Sequence, residues 1–167
     1  MRRDTNGFTG VYQEYSLSGR LIGPDKVSLD GVACIGGIFQ NAVAAQHSLI
    51  QIKNPAGSGV VVAVDSILAS VTTAIILGVY EEDADLTTLA TDRRQKLHGG
   101  GLSIAEIRYE SNANLPVTQV RRTYLPQYVN TELIEGPPLI LNEGEGYVIG
   151  GVTANIGVSA AFNWREI

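Results

Sequence analysis

Residues 48–70 read SLIQIKNPAGSGVVVAVDSILAS, and no other stretch restricts the fold of the chain so strongly. Two β-type runs flank a six-residue insert, Asn54-Pro55-Ala56-Gly57-Ser58-Gly59, that can continue neither of them. In the first run Ile50 and Ile52 alternate with Gln51 and Lys53, the period of two expected of a strand with one buried and one wet face. The second run, residues 60–64, is apolar on both faces and β-branched, which places it deep in a stack of sheets. Pro55 offers no N–H to a ladder, and Gly57 and Gly59 accept positive φ, so the chain turns between the runs. The unit is a hairpin or a crossing from one sheet to another, and its chemistry alone makes no catalytic loop.

A chain of 167 residues forms one domain most economically and is long enough to bury roughly 70% of the surface its unfolded form exposes. It needs neither metal nor disulfide to do so. The single cysteine, Cys34, cannot make an intrachain disulfide, and its neighbours Val32, Ala33 and Ile35 mark it as a small buried hydrophobe rather than a reactive thiol. The opening MRRDTNGFTG has two arginines with no apolar stretch behind them, unlike a secretion signal. Residues 60–79 are apolar but interrupted by Asp65, Ser66, Ser70, Thr72 and Thr73, too polar and β-branched for a membrane helix. The expectation is therefore a protein made in a cytosol, with no membrane partner.

The net charge is −5 and only 17% of residues are charged, against about 25% in an average soluble domain. A surface so poor in charge suits a protein partly covered by another subunit. Basic residues are scattered, adjacent only at Arg2-Arg3, Arg93-Arg94 and Arg121-Arg122, and no basic stripe interleaves with aromatics. Nucleic acid is accordingly not an expected partner.

Residues 1–31 are polar and rich in turn formers, with Gly7, Gly10, Gly19, Gly23, Pro24 and Gly31 too closely spaced for a long regular element. They read as an extended arm, with a short strand at 8–15, that orders by lying on something else. The folded domain spans 32–167, with strands expected at 32–39, 49–53, 59–69 and 72–80. Residues 81–101, EEDADLTTLATDRRQKLHGGG, fit a long excursion or short helix better than a strand. Strand-like text resumes at 103–109, 117–124, 130–134, 138–141, 146–153 and 156–164. In the last of these Val158, Ala160, Phe162 and Trp164 share one face. Many short strands punctuated by Gly, Pro and Asn predict an all-β fold, a single antiparallel β-sandwich with an extended N-terminal arm.

Motifs for catalysis are absent. His47 and His98 are 51 residues apart, neither has a second histidine two or four positions on, and a cupin-like metal triad cannot be assembled from them. His47 is read as capping the entry to its strand and His98 as part of the glycine loop. No Gly-x-Ser-x-Gly elbow occurs, and Gly57-Ser58-Gly59 and Gly144-Glu145-Gly146 lack the lysine and helix of a phosphate loop. The run Glu81-Glu82-Asp83-Ala84-Asp85 has carboxylates for Ca²⁺ but not the spacing or central glycine of an EF-hand, so it is read as a solvated loop. Glu143 and Glu145 resemble a glycosidase pair only superficially. Asn142-Glu143-Gly144-Glu145-Gly146 has the composition of a hairpin turn between 139–141 and 147–149. Tyr109, Tyr124, Tyr128 and Trp164 lie near arginines in sequence, a pairing that suits either an interface or the rim of a sandwich.

Three stretches carry a family likeness: Ser48 through Gly59; then Gly136-Pro137-Pro138-Leu139-Ile140-Leu141-Asn142-Glu143-Gly144-Glu145-Gly146; and the closing Phe162-Asn163-Trp164-Arg165-Glu166. Together they resemble the small β-sandwich structural proteins of tailed bacteriophages, and in length and layout most of all the capsid decoration, or cement, proteins. The resemblance covers residues 32–167. It implies a jelly-roll-like domain that assembles as a homotrimer, binds the major capsid protein on the outer surface of the virion, and needs no cofactor, metal or catalytic residue. A trimer bridging three capsomers would oppose their separation under the pressure of packaged DNA, and three arms would hold it multivalently. Arg2, Arg3, Phe8, Tyr12 and Tyr15 are the expected capsid-facing contacts of the arm, chosen because arms anchor through aromatic and charged side chains. The alternative is a tail or head-fibre component that stacks exposed Tyr or Trp on a host glycan or receptor.

Overall fold

A computed structural model describes residues 33–91, 93–95, 102–134 and 136–167. The expected arm, with Arg2, Arg3, Phe8, Tyr12 and Tyr15, and the expected glycine-loop residue His98 lie outside the described residues. The chain forms β1 (Ala33–Gln40), β2 (His47–Lys53), β3 (Val62–Val71), β4 (Ile75–Glu81), β5 (Thr88–Leu89), β6 (Arg93–Gln95), β7 (Glu106–Asn112), β8 (Thr118–Leu125), β9 (Thr131–Glu132), β10 (Leu139–Leu141), β11 (Gly146–Gly151) and β12 (Val158–Glu166). Every strand pair is antiparallel. One sheet runs β10-β3-β12-β1-β6, with β9 also on β3, and the other runs β5-β7-β2-β11-β4-β8.

That order is a jelly roll. Strands β1, β12, β3 and β10 face β2, β11, β4 and β8, and among these eight the chain changes sheet at every step but β4→β8. The 48–70 unit is therefore a sheet crossing, not a hairpin, because β2 and β3 belong to different sheets. The hairpin expected around 142–146 is corrected for the same reason: β10 and β11 do not pair, and the turn carries the chain across the sandwich. The stretch expected as an excursion or short helix instead contains two short strands, and no helix occurs among the described residues. Its β5 extends the second sheet beyond β7, and its β6 extends the first beyond β1.

The core follows from the period of two. Along β12 exposure alternates strictly, with Val158, Ala160, Phe162, Trp164 and Glu166 buried. Phe162 meets Ile67 and Trp164 meets Val64 across the ladder, while Ile50, Ile52, Ile107 and Ile149 close the interior from the second sheet. Each such fully buried side chain contributes roughly 2 to 3 kcal/mol. Cys34 is fully buried in this core. Trp164 is 1% exposed, which removes it from any interface and corrects its place among the candidate surface aromatics.

The outer face of the second sheet is covered too. Leu49, Tyr80, Leu86 and Val148 form a second buried cluster, with Leu115 packed against it. Space for Tyr80 comes from Gly78, where a Cβ would lie 2.5 Å from the phenol ring. Gln51 and Lys53, expected on a wet face, are 0% and 4% exposed because residues 82–86 fold over them. On the outer face of the first sheet Ile35 and Phe39 remain 45% and 48% exposed.

Candidate functional site

Two of the quoted stretches, 48–59 and 136–146, meet at one end of the sandwich. Backbone bonds join Asn54 N–H to the Glu145 carbonyl (2.9 Å) and Gly144 N–H to the Asn54 carbonyl (2.8 Å). The fully buried Asn54 side chain donates through Nδ2 to the carbonyls of Val60 (2.9 Å) and Leu141 (3.1 Å), while its Oδ1 has no partner among the described residues. Gly57 and Gly59 adopt φ of 74° and 73°, which aims their N–H groups at one carboxylate. Glu143 accepts both, at 3.0 and 3.1 Å. Just beyond the first and last of the quoted stretches, Val61 and Ile167 exchange N–H···O bonds of 3.0 and 2.9 Å.

The carboxylates that suggested chemistry are thus occupied by architecture. Glu145 accepts from the backbone N–H of Asn142 (2.7 Å) and from its side-chain amide (3.1 Å). These hydrogen bonds hold its carboxyl below the ordinary Glu value. Within the acidic run, Asp85 lies 3.8 Å from Lys53 Nζ and 3.3 Å from the Arg108 guanidinium. Lys53 Nζ donates to the carbonyls of Asp83 and Gly144, so the chain's own ammonium occupies the middle of a loop that resembled an ion site. Gln51 ties the same loop down three ways: Nε2 donates to the carbonyls of Glu82 (2.8 Å) and Ala84 (2.9 Å), and Oε1 accepts from Leu86 N–H (3.1 Å). Among the described residues no group of three or more His, Cys, Asp or Glu side chains is placed to hold a metal ion.

His47 begins β2, as expected of a residue at the strand entry, and its Nδ1 lies 2.7 Å from the Gly151 carbonyl, a contact that places the proton on Nδ1. At the other end of β12, Glu166 sits on the inner face, 8% exposed. Its Oε1 accepts from Ile104 N–H (2.8 Å), Ala105 N–H (2.9 Å) and Trp164 Nε1–H (3.4 Å), pinning the loop before β7. Gln51, Lys53, Asn54 and Glu166 tie segments together, whereas the sequence reading put Gln51 and Lys53 on a wet face and named Asn54 and Glu166 only as parts of a turn and a closing motif. For Glu166 the signal was present, since the alternation through Trp164 continues to it. For Lys53 it was not, because only the folded-back loop makes that face dry.

Among the recesses on the surface of the described residues, two differ in character. One is lined by Glu81, Asp83, Glu145, Gly146 and Tyr147, and burial first, then the charges of Glu81 and Glu145, push the Tyr147 hydroxyl above its ordinary pKa. The other is an apolar groove between β8 and β10, walled by Val79, Val120, Leu133, Ile134 and Leu139 with Arg121 at its side. Of the remaining surface aromatics, Tyr124 and Tyr128 are 64% and 73% exposed, and Ile76, paired with Tyr124, is 43% exposed. No family model, curated protein or solved structure matches the chain.

Proposed function

We propose that this protein is a non-enzymatic structural component of a virion, a decoration protein that binds the outside of a capsid as a homotrimer and braces it against internal pressure. The observation that supports this reading best is the use made of its polar residues. Glu143, Asn54, Lys53, Gln51 and Glu166 all accept from or donate to backbone groups of another segment, which suits a part that bears load rather than turns over substrate. The partner is a major capsid protein, with Arg2, Arg3, Phe8, Tyr12 and Tyr15 as its contacts. Purified protein mixed with undecorated mature capsids and imaged by electron microscopy should add three-fold density above the capsid surface. Bare capsids at saturating protein would refute the assignment. Light scattering should give a trimer mass at micromolar concentration, and a monomer would remove the trimer from the proposal.

A second reading, a tail or head-fibre module that binds a host glycan, is favoured by the exposure of Tyr124 and Tyr128 together. Binding on a glycan array that is lost in Tyr124→Ala and Tyr128→Ala, without capsid affinity, would replace the first reading with this one.

A further inference from the structure

The second sheet ends on a long strand whose outer edge has no partner among the described residues. The other end strands, β5, β6 and β10, have two or three residues each, whereas β8 has eight. Which of its backbone groups point outward follows from the far side of β4. Val152 N–H donates to the Ile76 carbonyl and Glu82 N–H to the Gly146 carbonyl, so the even-numbered residues of β4 turn their N–H and C=O toward β11. Ile76 and Gly78 therefore exchange no backbone bonds with Tyr124 and Arg122, the residues opposite them on β8. The N–H and C=O of Arg122 and Tyr124 point away from the sheet, a template for one more strand.

Beneath that edge lies the apolar groove between β8 and β10. Where β8 pairs with β4 the register slips, with Arg121 opposite Val79 and Gln119 opposite Tyr80, so Val120 is an extra residue. The bulge brings Val120 and Arg121 together onto the groove wall, across from Leu133, Ile134 and Leu139. A strand added to β8 would drop every second side chain into this groove and leave the others beside Arg122 and Tyr124. Apolar residues suit the inward positions, and charge sets the outward ones. Arg122 has no carboxylate within ion-pair distance among the described residues, and its Nε–H donates to Gln119 Oε1 (2.6 Å). Arg121 adjoins it, in a chain whose net charge is −5. A second β8 would bring two further guanidinium groups to this edge, where like charges oppose pairing, whereas a carboxylate opposite Arg122 favours it.

We infer that the free edge of β8 docks an extended acidic segment of another protein. The segment adds as an antiparallel strand, exchanges N–H···O bonds with Arg122 and Tyr124, sets a carboxylate opposite Arg122 and seats apolar side chains at alternate positions in the groove. The inference stands whether or not the protein binds capsids.

An acetylated and amidated peptide, Thr-Val-Thr-Val-Glu-Val-Thr, titrated into the full-length protein tests it, with affinity and amide hydrogen exchange both read by NMR. Docking predicts saturable binding, exchange at the Arg122 and Tyr124 amides slowed about tenfold or more at saturation, and affinity about two- to fivefold lower when Gln replaces the Glu of the peptide. Arg122→Pro removes an outward N–H together with its charge and should weaken binding at least about tenfold. Val120→Glu, at a half-exposed position, sets a carboxylate in the groove and should weaken it likewise, should the proline variant not fold. No binding up to about 1 mM peptide would overturn the inference. So would binding that leaves both amides unprotected and is unchanged in Val120→Glu. A folded Val120→Glu protein that loses an oligomeric mass in light scattering would overturn it as well, and would assign the edge to a second copy of the chain.

Discussion

Replacing Lys53 by methionine tests whether the buried ammonium holds the acidic loop on the sheet. Lys53 is 4% exposed and its Nζ serves the carbonyls of Asp83 and Gly144, on two loops that approach from different parts of the chain. Methionine fills nearly the same volume and gives up no apolar contact, so the change isolates the polar contribution. Leaving the two carbonyls unpartnered costs about 1 to 3 kcal/mol each, whereas removing a desolvated charge returns part of that. The net expectation is a loss of about 2 to 4 kcal/mol. For a domain of this length that lowers the melting temperature by roughly 5 to 15 °C. Gln51 anchors the same loop, so Gln51→Leu and Lys53→Met should be less than additive, with a coupling of at least about 0.5 kcal/mol, because once the loop lifts the second anchor has nothing left to hold. Calorimetry and guanidinium unfolding of the two single variants and the double variant measure all three quantities. A Lys53→Met protein as stable as the wild type would mean that the loop is not held by this ammonium, and strict additivity would mean that the two residues anchor independently.

Glu166→Ala should destabilise by about 2 to 4 kcal/mol, because the N–H groups of Ile104 and Ala105 lose a shared acceptor, while Glu166→Gln keeps the acceptor and loses only its charge; equal effects in chemical denaturation would show that geometry contributes nothing there. Gly78→Ala should cost about 1 to 3 kcal/mol by driving a methyl group into the Tyr80 ring, and Tyr80→Leu in the same chain should recover part of it; an alanine variant that melts with the wild type would refute the steric account. Burial raises the hydroxyls of Tyr80 and Tyr147 above the ordinary value of 10.0. Below that pH both states hold these protons, and above it the unfolded chain ionises first, so the melting temperature should be level up to about pH 10 and then fall. The fall should be shallower in Tyr80→Phe/Tyr147→Phe, and identical alkaline profiles for the two proteins would remove these groups as its cause.

The period of two in β12 and the breaks at Pro55 and Gly57 are local properties of backbone and side chain, which is why an all-β sandwich was legible from the text alone. So were the burial of Cys34 and the inward face of Phe162 and Trp164. What local text could not convey was partnership. The turn at 142–146 has hairpin composition whether its two strands pair with each other or with β3 on one side and β2 and β4 on the other. Only the closing of two sheets on one core decides, and it decided for a crossing. Alternation told truly that Gln51 and Lys53 point away from the main core, but burial is settled by what arrives from elsewhere. Residues 82–86 return over that face and turn a lysine on a strand into the cation of its own acidic loop. Amino-acid order by itself determined where the chain extends, where it turns and which side chains seek the interior, because those depend on near neighbours. The tertiary structure alone decided which carbonyl meets which donor across tens of residues, and so made Glu143, legible in the sequence only as part of a turn, a fastening between two loops.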